Sequence, residues 1–276
     1  MESRNPMFRN IEKQSGFAYN EGVNAYQQAA AGTATLDQQT APTIGRPATD
    51  RAMTIDDVVM RTGMAFVVLL IGAGIGWVLT PSMPWLPFVA MLVGLGLFFF
   101  GAFRKVPKAG IVLSYAAVEG VFLGGISLIF QDYVNQFGNG TNIVGQAVLG
   151  TLVAFGTMLV LYRTRIIKVN GTFMKVMMVA MISYLVIALA SFVGALFGVG
   201  GGWGFYGVGG LGLLLCVAGV ALAAFSLNLD FAAIEQAVNE GAPEVFAWRM
   251  TLGLVVTLVW LYLEILRFLA ILNSNN

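Results

Sequence analysis

Seven long apolar stretches dominate the sequence beyond residue 62 and constrain its fold more than any other feature. They cover about 63–80, 84–103, 110–130, 143–162, 175–197, 208–233 and 247–272. Each is close to the roughly 20 apolar residues that an α-helix needs to cross a bilayer. The composition agrees, because 58% of the residues are hydrophobic and only 11% are charged, whereas about a quarter of a soluble domain is charged. We therefore predict an all-α polytopic membrane protein, a bundle of seven transmembrane helices. The alternative is six spans, if 143–162 or 208–233 were re-entrant.

Residues 1–52 differ from the rest of the chain. They are rich in Ala, Gln, Thr and Asn, and their scattered apolar residues show no periodicity that would build a core. Such a composition is typical of disorder, so we predict a disordered cytoplasmic tail at 1–52 and a transmembrane domain at 53–276. The tail lacks the basic and then apolar pattern of a cleavable signal peptide, and we expect it to stay on the protein.

The loops between the apolar stretches predict the orientation. The loops after the second and fourth stretches hold seven basic residues: Arg104, Lys105, Lys108, Arg163, Arg165, Lys168 and Lys175. The loops after the first, third and fifth stretches hold no Lys or Arg. Because cytoplasmic loops carry the excess of Lys and Arg, we predict the N-terminus in the cytoplasm and the C-terminus outside. The absence of a signal peptide and of disulfides favours a bacterial cytoplasmic membrane.

Residue types that are missing from the chain exclude several chemistries. There is no histidine and a single cysteine, Cys216, which excludes Ser-His dyads, the HExxH zinc motif and four-cysteine metal sites. A net charge of +1 without a basic patch gives no reason to expect nucleic acid as a partner. We therefore predict that carboxylates carry out any proton or cation chemistry. The permeant or sensed ion would be H⁺ or Ca²⁺, and we expect no cofactor.

Three acidic residues fall within the apolar stretches: Glu119, Asp230 and Glu264. An ionised side chain at the bilayer centre costs a few kcal/mol, so each is expected to face a protein interior or water as part of an ion pathway or pH sensor. Glu119 should lie about 14 Å and Glu264 roughly 22 Å from the cytoplasmic ends of their helices. Arg267 follows Glu264 by three residues on the same helical face, so the alternative is that these two simply neutralise each other.

The loop after the sixth stretch is acidic. It holds Glu235, Glu240 and Glu244 against Arg249. Two interpretations stay open for it: a solvated turn, or a cytoplasmic vestibule that concentrates cations.

Glycine spacing carries two further predictions. Gly72 with Gly76, and Gly120 with Gly124, have the small-xxx-small spacing that lets membrane helices approach closely. The glycine-rich segment at 198–210 follows a membrane helix and lacks the Gly-Lys-Ser/Thr ending of a phosphate-binding loop. We interpret it as a flexible connector.

The segment WLYLEILRFLAIL at 260–272 resembles the final-helix pattern of the Bax inhibitor-1 (YccA-like, transmembrane Bax-inhibitor-motif) family, in which the acidic position is usually aspartate. Asp230 and the following AAIEQAVNEGAPE are similar to the family's Asp-x-x-x-Ile segment and acidic turn. EGVFLGG, from Glu119 to Gly125, resembles its third-helix signature. The resemblance covers roughly residues 60–272.

This resemblance implies a seven-helix bundle whose last helix is central. It also implies a pH-sensitive leak of calcium or another cation, governed by an acidic pair on the sixth and seventh helices. By motif that pair is Asp230 and Glu264, which would also be the Ca²⁺ ligands. A shared proton would hold the helices closed, and deprotonation would introduce repulsion or admit a cation.

Residue counting bears on this pair. If straight antiparallel helices meet at 241–243, Asp230 lies 12 residues from Ala242 and Glu264 lies 22 residues from it. The axial offset is then about 15 Å, whereas a shared proton needs oxygens within hydrogen-bond reach. Arg267, or Glu119 at its intermediate depth, therefore comes before Asp230 as the partner of Glu264.

These observations leave three classes of function, and in each of them the protein has the lipid bilayer as a partner. The leading one is a pH-sensitive Ca²⁺ or cation leak channel gated by buried carboxylates. The alternative is a non-transporting membrane regulator that binds proteases or stress factors through its tail and acidic loop. An intramembrane aspartyl protease would also place two acids on adjacent helices, but its Gly-x-Gly-Asp sequence is missing, so we expect no enzyme.

Overall fold

The computed structural model describes residues 51–104, 106–137, 141–202, 204–207 and 209–274. Seven α-helices run through this part of the chain, which contains no strand. In chain order they are α1 (Ile55–Leu79), α2 (Leu86–Ala102), α3 (Ala109–Phe137), α4 (Ile143–Arg163), α5 (Gly171–Leu196), α6 (Gly209–Asn239) and α7 (Ala247–Ser274). The all-α prediction is confirmed. Of the tail predicted to be disordered at 1–52, residues 1–50 lie outside the described residues, as does Lys105. Its last two residues are described, and Ala52 forms an isolated β-bridge with Pro243.

Six of these helices are long and apolar enough to cross a membrane, as judged by length and composition. The exception is α2, whose 17 residues span about 25 Å. Large apolar side chains such as Val179 and Val186 on α5 are exposed on the outer faces. These faces suit a lipid environment, because a helix satisfies its own backbone polar groups and leaves only side chains to face the acyl chains.

Helix α1 begins at Ile55, eight residues before the predicted start of the first apolar stretch. Thr54 caps it: the Asp57 N–H donates to the Thr54 hydroxyl (3.3 Å), and the Thr54 N–H donates to the Asp57 carboxylate (2.9 Å). This reciprocal capping box satisfies backbone donors that would otherwise lack partners. The added turns bury Val58 in a cluster with Ala247 at the start of α7.

Helix α7 is the central helix, as the family resemblance implied. It contributes Val255 to a cluster with α1 and α3, Leu258 to one with α6, and Leu266 to one with α3 and α4. Neighbouring helices therefore cover α7 on several sides, and Glu264 is 3% exposed there.

Helices α1 and α3 approach closely where the glycine spacing predicted close packing. A Cβ atom added at Gly76 would collide with the backbone of Val121, and one added at Gly124 would collide with that of Ala73. Glycine is required there because the two backbones leave no room for a side chain.

The connection between α6 and α7 is a tight turn. Gly241 has φ = 66°, in the left-handed region that favours glycine, and a short 3₁₀ turn, Glu244–Phe246, leads into α7. The chain entering α1 pairs with this turn, since the Met53 N–H donates to the Ala242 carbonyl (2.7 Å) and the Glu244 N–H donates to the Arg51 carbonyl (2.8 Å).

Candidate functional site

Glu264 is buried, with only 3% of its surface exposed, at the centre of a polar cluster on α7. Its Oε1 atom accepts hydrogen bonds from the Tyr184 hydroxyl of α5 (2.8 Å) and from the Trp260 indole N–H (3.1 Å). The Arg267 guanidinium lies 3.3 Å from both carboxylate oxygens. The predicted pairing of Glu264 with Arg267 is therefore present in the structure.

A second tyrosine extends this cluster. The Tyr206 hydroxyl donates to the Tyr184 hydroxyl at 2.8 Å, and the Arg267 guanidinium lies 4.3 Å from the centre of the Tyr206 ring. Tyr206 belongs to the 3₁₀ turn Gly204–Gly207, inside the segment that we interpreted as a flexible connector. The connector thus supplies a buried side chain to the site, and we call Glu264, Arg267, Tyr184, Tyr206 and Trp260 the Glu264 cluster.

Glycine at position 219 lets α6 approach this cluster. A Cβ atom added to Gly219 would lie 2.7 Å from the carboxyl carbon of Glu264 and would also collide with the Tyr184 hydroxyl. The bare backbone of α6 therefore forms one wall around the carboxylate.

A cavity of about 780 Å³ adjoins the cluster. Aromatic and aliphatic side chains of α2, α3 and α5 line it, including Phe88, Phe122 and Ile182, while Glu264 and Arg267 are its charged groups. A volume of this size could hold several water molecules.

Asp230 lies elsewhere along the helix pair. It hydrogen-bonds with the Thr257 hydroxyl and faces Gly253, whose added Cβ would lie 3.6 Å from Oδ1. The residue of α6 that faces Glu264 is Gly219, 11 residues before Asp230 (230 − 219), which corresponds to about 16 Å along the axis. The structure therefore keeps Asp230 and Glu264 apart, by the offset that residue counting predicted.

Asp230 retains an unsatisfied oxygen. Among the described residues, two buried acceptor atoms have no hydrogen-bond partner: Asp230 Oδ2 and Asn228 Oδ1. Buried acceptors without a protein partner are places where water or a cation can bind.

Glu119 faces α2 rather than the other two acids. A Cβ added to Gly94 would lie 2.7 Å from Glu119 Oε2. Glu119 precedes Ser127 by eight residues, and the Ser127 hydroxyl is 2.6 Å from the Tyr262 hydroxyl. Counted along the parallel helices α3 and α7, Glu119 is level with about residue 254, close to Gly253 and hence to the level of Asp230. It does not bridge Asp230 and Glu264 in the described part of the chain.

The acidic loop residues all have partners. Glu244 forms ion pairs with Arg61 (2.5 Å) and Arg51 (3.3 Å). Glu235 accepts a hydrogen bond from the Tyr162 hydroxyl, and Glu240 accepts one from Gln236 at 2.7 Å. With Glu244 held between two arginines, this loop presents less free negative charge than its sequence indicates.

No group of three or more His, Cys, Asp or Glu residues converges within the described ranges to hold a metal ion. Asp230 and Glu264, which the resemblance implied as Ca²⁺ ligands, lie too far apart along α6 and α7 to share one ion in this conformation.

Sequence reasoning missed the aromatic members of the Glu264 cluster. Trp260 carried a usable signal, because it precedes Glu264 by four residues and lies on the same helical face. Tyr184 bonds to Glu264 from 80 residues away in the sequence (264 − 184), and Tyr206 joins the cluster through Tyr184 and Arg267. No local pattern indicates such long-range contacts.

The fold and this cluster define a polytopic, all-helical membrane protein with a buried, ion-paired carboxylate on its central helix. Comparison with known families identifies the family of this protein. The family model described as Bax inhibitor 1 like matches residues 5–274. The chain belongs to this family, and the resemblance noted from its motifs is confirmed. A search of curated proteins gave no match.

Proposed function

We propose that the protein is a pH-sensitive leak channel for Ca²⁺ or another cation, of the Bax inhibitor-1 type, gated by the carboxylate of Glu264. The observation that carries this proposal is an acidic side chain with 3% exposure beside a cavity within a membrane bundle. An ionisable group in such a place is costly and marks ion or proton pathways.

The closed state rests on the charge of Glu264. Its hydrogen bonds join α5, through Tyr184, to Trp260 and Arg267 of α7. A hydrogen bond to a charged group contributes about 1.5–3 kcal/mol. Loss of that charge would weaken these bonds and let α5 separate from α7, so we infer that neutralising Glu264 opens the path.

This direction is the reverse of the one expected from a proton shared between Asp230 and Glu264. With an axial offset of about 16 Å, those carboxylates are not placed to share a proton. The group placed to respond to the charge of Glu264 is Arg267. When Glu264 is neutral, Arg267 can stay bound over the Tyr206 ring, and its charge need not block the path.

A cation would pass Asp230 and Glu119 in the half of the route that lies away from Glu264. They lie at similar levels beside α7, and the free Oδ2 atom of Asp230 can accept a cation or a water molecule. In the orientation predicted from the basic loops, with a cytoplasmic N-terminus, this half is the cytoplasmic one. Carboxylate oxygens are ligands that Ca²⁺ prefers, and the route needs no catalytic step.

The test is Ca²⁺ flux into proteoliposomes between pH 6 and pH 8. Glu264→Gln keeps the side-chain shape but removes the charge, so it should conduct faster at pH 8 than the native protein does at the same pH. Losing one charge-assisted bond from the closed state predicts an increase of about tenfold or more at pH 8. The flux of this variant should no longer depend on pH.

Two further variants complete this experiment. Glu240→Gln removes a loop carboxylate that is bonded to Gln236 and should leave the flux and its pH profile unchanged. Asp230→Asn should lower the flux without moving the pH profile. The proposal is wrong if Glu264→Gln and Asp230→Asn both transport Ca²⁺ at the native rate with the native pH profile.

One observation favours the second candidate, a non-transporting regulator that binds a protease or stress factor. Arg51, at the end of the predicted tail, is bonded to Glu244 of the acidic loop and to Asp57, and these two carboxylates raise the pKa of its guanidinium. The end of the tail and the acidic loop therefore form one surface. Absence of flux at every pH, with co-purification of a membrane protease that Arg51→Gln abolishes, would support this function over the channel.

A further inference from the structure

A second cavity lies at the opposite end of α6 from the Glu264 cluster. It is a groove of about 920 Å³ between the start of α1, the end of α4 and the end of α6. Its wall is apolar, with Val58, Val59, Phe155, Leu159, Phe231 and Leu254 among the lining residues. Val59 and Leu159 are 64% and 42% exposed, so the groove is open on the side between α1 and α4.

The mouth of this groove is cationic. Arg163, Arg165 and Lys168 line it, and Glu235, the one carboxylate among the described lining residues, accepts a hydrogen bond from Tyr162. Within the described residues, none of the three basic side chains forms an ion pair or a hydrogen bond. Three cations beside an apolar groove are complementary to a molecule with an anionic head and an apolar tail.

Arg165 holds an unusual backbone position. Its φ is 56°, and it occupies the left-handed position of a Schellman motif that ends α4: its N–H donates to the Tyr162 carbonyl (2.9 Å), and the Ile166 N–H donates to the Leu161 carbonyl (3.1 Å). Glycine is the usual residue at this position because it has no Cβ. An arginine here places a positive charge at the groove where local stability favours glycine.

We propose that this groove, which we call the basic groove, binds an anionic phospholipid. The headgroup phosphate would lie among Arg163, Arg165 and Lys168, and an acyl chain would follow the apolar wall. The groove reaches from the mouth to Phe155, eight residues before Arg163, which is about 12 Å into the apolar region. Basic pockets between membrane helices are known to recognise anionic lipid headgroups.

The experiment compares phosphatidylglycerol with phosphatidylcholine of the same acyl chains. Full-length protein in detergent is titrated with each lipid, and native mass spectrometry counts the bound molecules. We expect phosphatidylglycerol to be retained in preference to phosphatidylcholine. An equal affinity for both lipids would overturn the proposal.

Variants then separate the basic groove from general surface charge. Arg165→Gly should weaken phosphatidylglycerol binding about fivefold, while the thermal midpoint stays equal or rises because glycine suits the left-handed position. The triple variant Arg163→Gln, Arg165→Gly, Lys168→Gln should weaken it about a hundredfold. Lys108→Gln, which removes an exposed charge from another loop, should leave it unchanged; a loss as large as that of Arg165→Gly would contradict the groove.

The occupant can be identified directly. A photoreactive benzoylphenylalanine at Leu159, on the groove wall, should cross-link to phosphatidylglycerol in vesicles that contain both lipids. A cross-link to residues 1–50 of the same chain, or to a second copy of the protein, would show that a protein segment occupies the groove and would overturn the assignment.

Discussion

Gly219→Ala tests the Glu264 cluster without changing any of its functional groups. The added methyl group would lie 2.7 Å from both the carboxyl carbon and Oε2 of Glu264, and it would collide with the Tyr184 hydroxyl. Atoms cannot remain at such distances, so the carboxylate and the tyrosine must separate or α6 must move away. We expect the hydrogen bond between Tyr184 and Glu264, 2.8 Å long, to be the contact that is lost.

The magnitude follows from two opposing effects. Loss of a hydrogen bond to a charged group costs about 1.5–3 kcal/mol, and replacing glycine by alanine within a helix returns about 1 kcal/mol. The net loss of stability is therefore about 0.5–2 kcal/mol, which lowers the melting temperature by about 1–8 °C for a protein of this size. If this bond also holds the closed state, Ca²⁺ flux at pH 8 should rise about tenfold and should still depend on pH, because Glu264 keeps its carboxyl group.

The matched control is Gly156→Ala, within α4. Apart from its chain neighbours and the backbone of its own helix, nothing lies within 4 Å of an added Cβ at that position, so this variant should gain helix propensity, keep or raise the melting temperature and leave the flux unchanged. The melting temperature in detergent and the flux in proteoliposomes are measured for both variants. If Gly219→Ala matches Gly156→Ala in both assays, the close packing of α6 on Glu264 and the role of that packing in closure are refuted.

Two further predictions concern the packing that supports the site. Gly76→Ala places a methyl group on the backbone of Val121 and should destabilise the protein by about 1–3 kcal/mol. Gly74→Ala, on the same helix, has free space for the methyl group and should not destabilise it. Equal melting temperatures for the two variants would contradict the packing of α1 on α3. Tyr262→Phe removes the hydroxyl that lies 2.6 Å from the Ser127 hydroxyl. It should lower the free energy of unfolding in SDS by about 1 kcal/mol and leave the pH profile of the flux unchanged. A shifted pH profile would place this pair of hydroxyls in the gate.

Much of the fold could be predicted because the strongest signals are local. Apolar length locates each helix, and the spacing of Gly72 and Gly76 identifies a face that another backbone can approach. The start of α1 was missed although its signal is also local: Thr54 and Asp57 form a capping box. Hydropathy favoured a start at residue 63, but the amphipathic first turns are stabilised by burial of Val58 rather than by lipid.

In the candidate site, too, the local contacts could be predicted and the long-range contacts could not. The pair of Glu264 and Arg267 could be predicted because both residues lie on one turn of one helix. Tyr184 and Tyr206 could not, because their contacts depend on how α5 and the glycine-rich segment fold back against α7. Gly204, at φ = 64°, packs against Ser191 so closely that a Cβ would collide with it. The ordering of that segment therefore comes from tertiary packing and not from its composition.

The register of α6 against α7 decides which acids can act together. Gly219 faces Glu264 and Asp230 faces Gly253, and both pairs of numbers sum to 483 (219 + 264 and 230 + 253). A constant sum is the signature of straight antiparallel helices, and its midpoint, 241.5, falls at Gly241, where φ is 66°. For Asp230 to face Glu264 the sum would have to be 494 (230 + 264), which puts the midpoint at Ala247, inside the first turn of α7. No side-chain rotation achieves this, because one helix would have to slide by 11 residues, or about 16 Å. A proton-linked gate in this protein is therefore better sought where Glu264 meets Arg267 and Tyr184 than between the two acids of the motif.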